Sequence, residues 1–265
     1  MITTRTLAKA LFAALSVAIL PGCSETSTEA TVPASMDHAA HGAHAHHGAG
    51  QAGASAPPDD ATAEELVAAK SGETLPFFDS EEFTPVWLAP GSSNLETFHS
   101  IPDFEFVNQR GQTVSDKSYE GKIYVATFFF ATCPGICSRL NQRLLSVQEA
   151  ILEQEDVRIL SHSITPDIDT VEVLEDYAAH NGIDADTWDL VTGDRDKLYR
   201  LAKEGYFASE DLGKAEAAED FKHTENVMLV DRNNRIRGIY NGLSRNAILN
   251  VIADIRLLQK EQPLG

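Results

Sequence analysis

The sequence predicts an α/β fold, and three observations carry that prediction. Strand-like and helix-like stretches alternate from about Ile101 onward, and residues 123–130 form a nearly unbroken apolar run of the kind a strand buried on both faces requires. Beyond that run, Leu140, Leu144, Val147 and Ile151 recur at helical spacing with polar residues between them.

The remaining elements follow in order. Phe104, Phe106 and Val114, on either side of Asn108-Gln109-Arg110-Gly111, predict an opening hairpin. Residues 157–164 read as the strand after the first helix. Asp169 with Glu172 forms a capping-box pattern before a helix carrying Val173, Leu174 and Tyr177. Leu190-Val191 is a short strand, and Leu198, Leu201 and Ala202 share one face of another helix. Residues 227–230 and 236–240, separated by Asp231-Arg232-Asn233-Asn234, predict an antiparallel hairpin. Ser244 then caps a last helix whose inner side carries Ile248, Val251, Ile252, Ile255 and Leu258. Residues 101–265 thus read as one α/β domain of ordinary size.

Upstream, the chain changes character. Arg5 and Lys9 precede an apolar run, 10–20, that suits a signal-peptide core and is short of the ~20 residues needed to span a bilayer. Leu20-Pro21-Gly22-Cys23 resembles a lipoprotein box, so residues 1–22 are expected to be removed and Cys23 acylated, with plain cleavage and an uncleaved anchor as alternatives. Export follows in each case, and acylation would make the chain a membrane-anchored lipoprotein on the periplasmic side. Residues 23–58 are rich in Ala, Thr, Ser, Gly, His and Pro, which bury too little surface to fold, and read as a disordered tether. Residues 59–100 contain Leu75-Pro76-Phe77-Phe78 and Phe83-Thr84-Pro85-Val86-Trp87-Leu88, whose aromatics are expected to pack on the domain as an extended arm without regular structure.

Charge restricts the partners. The 265 residues include 21 basic and 40 acidic ones, and loss of Arg5 and Lys9 with the signal takes the formal net charge from −19 to −21. So acidic a surface repels phosphate backbones and anionic headgroups, which excludes nucleic acid and argues for cations and basic protein faces.

The chain has three cysteines, and acylation of Cys23 leaves the pair Cys133 and Cys137. A structural staple is a weak explanation, because so short a loop constrains the unfolded chain little. Thr132-Cys133-Pro134-Gly135-Ile136-Cys137 lies where the apolar strand ends and a helix begins, with Pro134 suited to the first helical position. A helix N-terminus there lowers thiol pKa values and favours the thiolate, which is both nucleophile and metal ligand. Two such sulfurs can form a disulfide, exchange disulfides or bind a soft metal. His223, a few residues before a predicted strand, would complete an S₂N set suited to Cu(I), and to Cu(II) with an added oxygen ligand. Zinc also accepts two Cys and one His. Read alone, His223 could equally be an ordinary loop histidine.

The second metal candidate is the tether, where His38, His41, His44, His46 and His47 crowd beside Met36 and Asp37. Such a tract either collects copper loosely or is a His-rich spacer. His162 reads as a hydrogen-bonded core residue, His180 as a helix C-terminal partner and His99 as a loop residue. The acidic run Glu210, Asp211, Glu216, Glu219 and Asp220 reads as a solvated loop able to steer a basic partner.

Taken together, the cysteine segment, Ser163-Ile164-Thr165-Pro166-Asp167-Ile168-Asp169-Thr170, Leu190-Val191-Thr192-Gly193, His223-Thr224 and Leu229-Val230-Asp231 resemble the Sco/SenC family in order, from about Asp103 to Leu258. The resemblance implies a thioredoxin-like fold, a central mixed β-sheet flanked by helices. It also implies Cu(I) and Cu(II) binding by Cys133, Cys137 and His223. Its members serve assembly of the dinuclear copper centre of cytochrome c oxidase, as copper donors, as thiol reductants of the oxidase subunit, or both. Ser138, Thr165 and Lys222 depart from the family's commonest residues, Pro, Asp and Asp, and none of the three changes removes a ligand.

The implied function is a copper metallochaperone that takes copper from a donor and passes it to the oxidase's copper-centre subunit. The rival is an extracytoplasmic thiol-disulfide oxidoreductase using Cys133 and Cys137 on the oxidase subunit or in redox signalling. Three residues between the cysteines, where thioredoxins have two, and the presence of His223 favour the chaperone. A third reading, a His-rich lipoprotein buffering zinc or nickel, rests on the tether alone.

Overall fold

A computed structural model of the chain describes residues 62, 74–89, 92–133, 135–208 and 225–261. The expected signal peptide, Cys23, the tether histidines, the start of the arm, Pro134, the acidic run and His223 lie outside the described residues.

The sheet grows from the chain's most apolar segment. β3 (Ile123–Phe129) is buried at all seven positions, so it must be covered on both faces. It pairs in parallel with β4 (Val157–Ser163), which pairs in parallel with β5 (Trp188–Thr192). β1 (Glu105–Asn108) and β2 (Thr113–Ser115) form the opening hairpin, added antiparallel to β5. On the other side β6 (Asn226–Val230) runs antiparallel to β3 and pairs with β7 (Ile236–Asn241). The strand order β2-β1-β5-β4-β3-β6-β7 is that of a mixed, thioredoxin-like sheet.

Helices cover both faces. α1 (Ile136–Ile151) buries Cys137, Leu140, Leu144, Val147 and Ile151, and α4 (Arg245–Lys260) packs beside it with the stripe predicted from Ile248 to Leu258. Ser244 caps α4 through the Ala247 N–H. The other core holds Phe104, Phe106, Tyr119, Tyr124, Phe128, His162 and Tyr206 beneath α3 (Arg195–Arg200), which relaxes into a π-turn at Leu201–Gly205. Leu198, Leu201 and Ala202 are all buried, the first in α3 and the other two in the π-turn.

α1 begins at Ile136 with Gly135 as its N-cap. One expectation needs correction. α2 (Val171–Asn181) is capped by Thr170, whose hydroxyl accepts the Val173 N–H at 3.4 Å, and not by Asp169. Asp169 is fully buried and has different partners.

Part of the described arm packs on the domain. Leu75, Phe77 and Phe78 are buried, and Phe77 and Phe78 make single antiparallel bridges to Val86 and Ile236. Trp87, by contrast, is 62% exposed. A 3₁₀ turn at Ser93–Leu95 is the arm's regular element among the described residues.

His162 is a core residue whose polar atoms are only half satisfied. Its Nδ1 donates to the Thr127 carbonyl at 3.2 Å, while its Nε2 has no hydrogen-bond partner among the described residues. The ring lies 5.1 Å from Phe128 and 5.2 Å from Tyr206, centroid to centroid. Desolvation in that cage pulls its pKa down to about 4. An unfolded histidine titrates near ~6.5, so between the two values the unfolded chain binds the extra proton and stability falls as pH drops, by about 3 kcal/mol over the window. Urea unfolding of wild type and His162→Leu at neutral pH and near the acid end tests this. The variant should lose the acid sensitivity of that window, and an unchanged pH slope would refute the assignment.

Candidate metal centre

The sheet's topology brings the chemistry to one edge. β3 and β4 both end there, and β6, antiparallel to β3, begins there: Ala126 faces Met228, so Asn226 lies toward the carboxyl end of β3. Gly242 fixes that start closely against α1. Its N–H donates to the Glu225 carbonyl at 2.7 Å, and a Cβ at this position would sit 2.2 Å from Leu140 Cδ1. His223 is two residues before Glu225 in the sequence.

The cysteines follow β3 directly. The Cys133 N–H donates to the Phe130 carbonyl at 3.2 Å, closing the turn off the strand. Cys137 lies in the first turn of α1, and its N–H donates to Cys133 Sγ at 3.4 Å. Both residues are free thiols. Cys133 is partly exposed, whereas Cys137 is 2% exposed within the core.

That difference separates their chemistry. At Cys133 burial works against ionisation, but donation from the Cys137 thiol and from the Gly135, Cys137 and Ile136 backbone outweighs it and holds the thiol below its ordinary value. At Cys137 burial comes first and donation to Cys133 second, and together they push the pKa up to about 12. Cys133 is the accessible nucleophilic sulfur, and Cys137 keeps its proton.

Asn141, one turn beyond Cys137, donates to the Tyr177 hydroxyl, and the Tyr177 ring lies 5.4 Å from that of Phe129. Burial and the neighbouring Cys137 push the Tyr177 hydroxyl pKa up. The position of Asn141, four residues after Cys137, was the available sequence signal for this contact. Asp169 completes the surroundings, accepting the Ala131 N–H at 3.2 Å.

Among the described residues, no group of three or more His, Cys, Asp or Glu side chains forms a metal site. The two thiols fit a soft, thiophilic ion as a pair of sulfur donors. His162, on β4, packs against Phe104, Phe106, Phe128 and Tyr206 of the opposite core.

A thioredoxin-like domain with a reduced, asymmetric Cys-x₃-Cys pair at the carboxyl edge of its central strands defines the class. The SCO1/SenC family model matches residues 92–258, and the chain belongs to that family. It is 28% identical over 160 residues to the SCO1 protein homolog of Bacillus subtilis, covering 60% of this chain and 82% of that one. Among solved structures it is similar to BsSco, described as a Sco-family cytochrome c oxidase assembly protein with a disulfide switch. The identity is 27%, with 62% of this chain and 95% of the other covered, at a TM-score of 0.54. A SCO1/SenC family lipoprotein of Bacillus anthracis matches at 25% identity and a TM-score of 0.53, over 61% and 96% of the two chains.

Proposed function

We propose that this chain is an extracytoplasmic copper metallochaperone. It binds one copper through Cys133, Cys137 and His223 and serves assembly of the dinuclear copper centre of cytochrome c oxidase. The observation that carries the reading is the free thiol pair at the strand edge, with Cys137 N–H on Cys133 Sγ. Membership of the SCO1/SenC family and the position of His223, two residues before the anchored Glu225, support it. Cys133 and Cys137 supply two sulfur donors and His223 a nitrogen, a set that favours Cu(I). Residues 1–22 act as a signal peptide, and acylated Cys23 tethers the domain to the membrane, a mode consistent with the lipoprotein description of the Bacillus anthracis relative. The partners are a copper donor and the oxidase subunit that receives the metal. The tether histidines, His38, His41, His44, His46 and His47, collect copper loosely for the tighter site.

A Cu(I) titration against a competing chelator tests the ligand set. Reduced protein binds one Cu(I), and protein with the Cys133–Cys137 disulfide binds it far more weakly, because a disulfide sulfur is a poor ligand. Since Cys137 holds its proton up to about 12, binding must release it, so apparent affinity should rise by about tenfold or more per pH unit near neutrality. Equal affinity in the two redox forms would refute the assignment.

One observation favours a second reading. An accessible, acidified Cys133 beside a buried, protonated Cys137 is the arrangement of an attacking and a resolving thiol, and BsSco is described as having a disulfide switch. A thiol-disulfide oxidoreductase acting on the cysteines of the oxidase subunit or in redox signalling would use the same two sulfurs without His223.

A further inference from the structure

Asp169 is a carboxylate with 0% exposure that the thiol chemistry does not itself consume. A buried carboxylate is costly unless its oxygens are satisfied, and here they hold together two segments remote in sequence. Its Oδ2 accepts the Ser163 hydroxyl, at the end of β4, at 2.5 Å and the Thr165 hydroxyl, in the β4–α2 loop, at 3.0 Å. Its Oδ1 accepts the N–H of Ala131, two residues before Cys133, at 3.2 Å. The same loop is pinned to β3 at its start, where the Ile164 N–H donates to the Phe129 carbonyl at 2.9 Å. Ala131 lies within the turn closed by Cys133 N–H on the Phe130 carbonyl, and that turn sets the Cys133 sulfur against the first turn of α1.

We propose that Asp169 is a positioning residue for the thiol pair: its carboxylate latches the backbone at Ala131 to the β4–α2 loop and so holds Cys133 in the dithiol arrangement. The proposal rests on the reading of Cys133 and Cys137 as the working site. The Thr165 hydroxyl donates to the same carboxylate and adds a further bond to the latch.

The latch accompanies the dithiol form, so its loss should favour the disulfide. In a glutathione redox buffer the Cys133–Cys137 disulfide forms as both thiols lose their protons. The electron pair passes to glutathione disulfide, which leaves as two glutathione thiols carrying those protons. The full-length protein, wild type and variants, is equilibrated in such buffers and the thiol-disulfide constant read by alkylation and mass.

Asp169→Ala removes the acceptor and should move the constant toward the disulfide by about tenfold or more, with Cu(I) affinity of the reduced protein falling in parallel. Asp169→Asn keeps an oxygen for the Ala131 N–H while removing the charge, and should stay within about threefold of wild type. A constant unchanged in a folded Asp169→Ala protein overturns the proposal. So does a shift toward the dithiol in both variants, which is the signature of a lost negative charge acting on the thiolates and not of a lost tie. Should Asp169→Ala not fold, Asp169→Ser, too short to reach Ala131, is judged by the same criteria. If neither folds, hydrogen exchange of the Ala131 amide in the wild-type protein decides: protection like that of β3 supports the latch, and solvent-like exchange overturns it. Wild-type protein that binds no Cu(I) refutes the copper reading alone, because the thiol-disulfide constant is measured without metal.

Discussion

Cells whose only copy carries His223→Ala are expected to assemble as little copper-containing oxidase as cells carrying Cys133→Ser, although both thiols of the histidine variant remain. The two candidate chemistries need different atoms. Copper held by two sulfurs and one nitrogen loses a direct ligand when the imidazole goes. Outer-shell changes alone cost 10–100-fold in metal affinity, so the loss here should be at least about a hundredfold. Thiol exchange needs an accessible, acidified Cys133 and a Cys137 that resolves the mixed disulfide. Among the described residues, the acidifying groups are the Cys137 thiol and the Gly135, Cys137 and Ile136 backbone, all of which the histidine variant keeps. The thiol-disulfide constant of His223→Ala should therefore stay close to wild type while copper binding fails. Two measurements on one variant, oxidase activity in cells and the thiol-disulfide constant of the purified protein, separate the functions. Near-normal oxidase at wild-type protein level would promote the oxidoreductase and remove the metallochaperone.

The sequence carried the core of the fold because its strongest signals are local. A seven-residue apolar strand, the helical stripe from Leu140 to Ile151 and the Ser244 cap each depend on neighbours within a few positions, and each recurs in the structure. Asp169 was misread for the same reason. Asp-x-x-Glu before an apolar run looks like a capping box, but the partner that claims this carboxylate, Ala131, lies 38 residues away, while Thr170 next door takes the cap. The asymmetry of the cysteines was equally illegible. Spacing predicts that both sulfurs lie near a helix start, but burial of Cys137 is set by the packing of α1 on β3 and α4. The π-turn at Leu201–Gly205 leaves no trace in the apolar pattern, since Leu201 and Ala202 are buried as an ordinary helix would bury them.

Arg237 was invisible to the sequence reading, and its replacement is expected to be the most destabilising of the single changes considered. The side chain is 3% exposed and uses all five of its N–H donors. Nε donates to the Pro76 carbonyl at 3.1 Å and Nη2 to the Leu75 carbonyl at 2.9 Å, so the arm is held by its backbone. Nη1 donates to Asp231 at 3.1 Å and to Glu261 at 2.8 Å, with a second bond from Nη2 to Glu261 at 3.1 Å. The guanidinium also lies 4.0 Å from the Phe77 ring centroid. Arg237→Met fills much of the volume but leaves the Asp231 carboxylate, 5% exposed, without its cation, and frees the carbonyls of buried Leu75 and half-buried Pro76. Removing one partner of a buried pair costs about 3–5 kcal/mol, a large part of the stability of a typical domain. Arg237→Lys should recover little of that, because an ammonium has three donors and cannot match the planar fork. Urea unfolding gives the loss directly, and limited proteolysis should show new cleavage within residues 74–89 before the sheet itself is cut. Doubling with Glu261→Gln apportions the effect: the two losses should combine to clearly less than their sum, since both remove the same pair. A loss below about 1 kcal/mol with the arm still protected would mean that Leu75, Phe77 and Phe78 hold the arm by apolar burial alone.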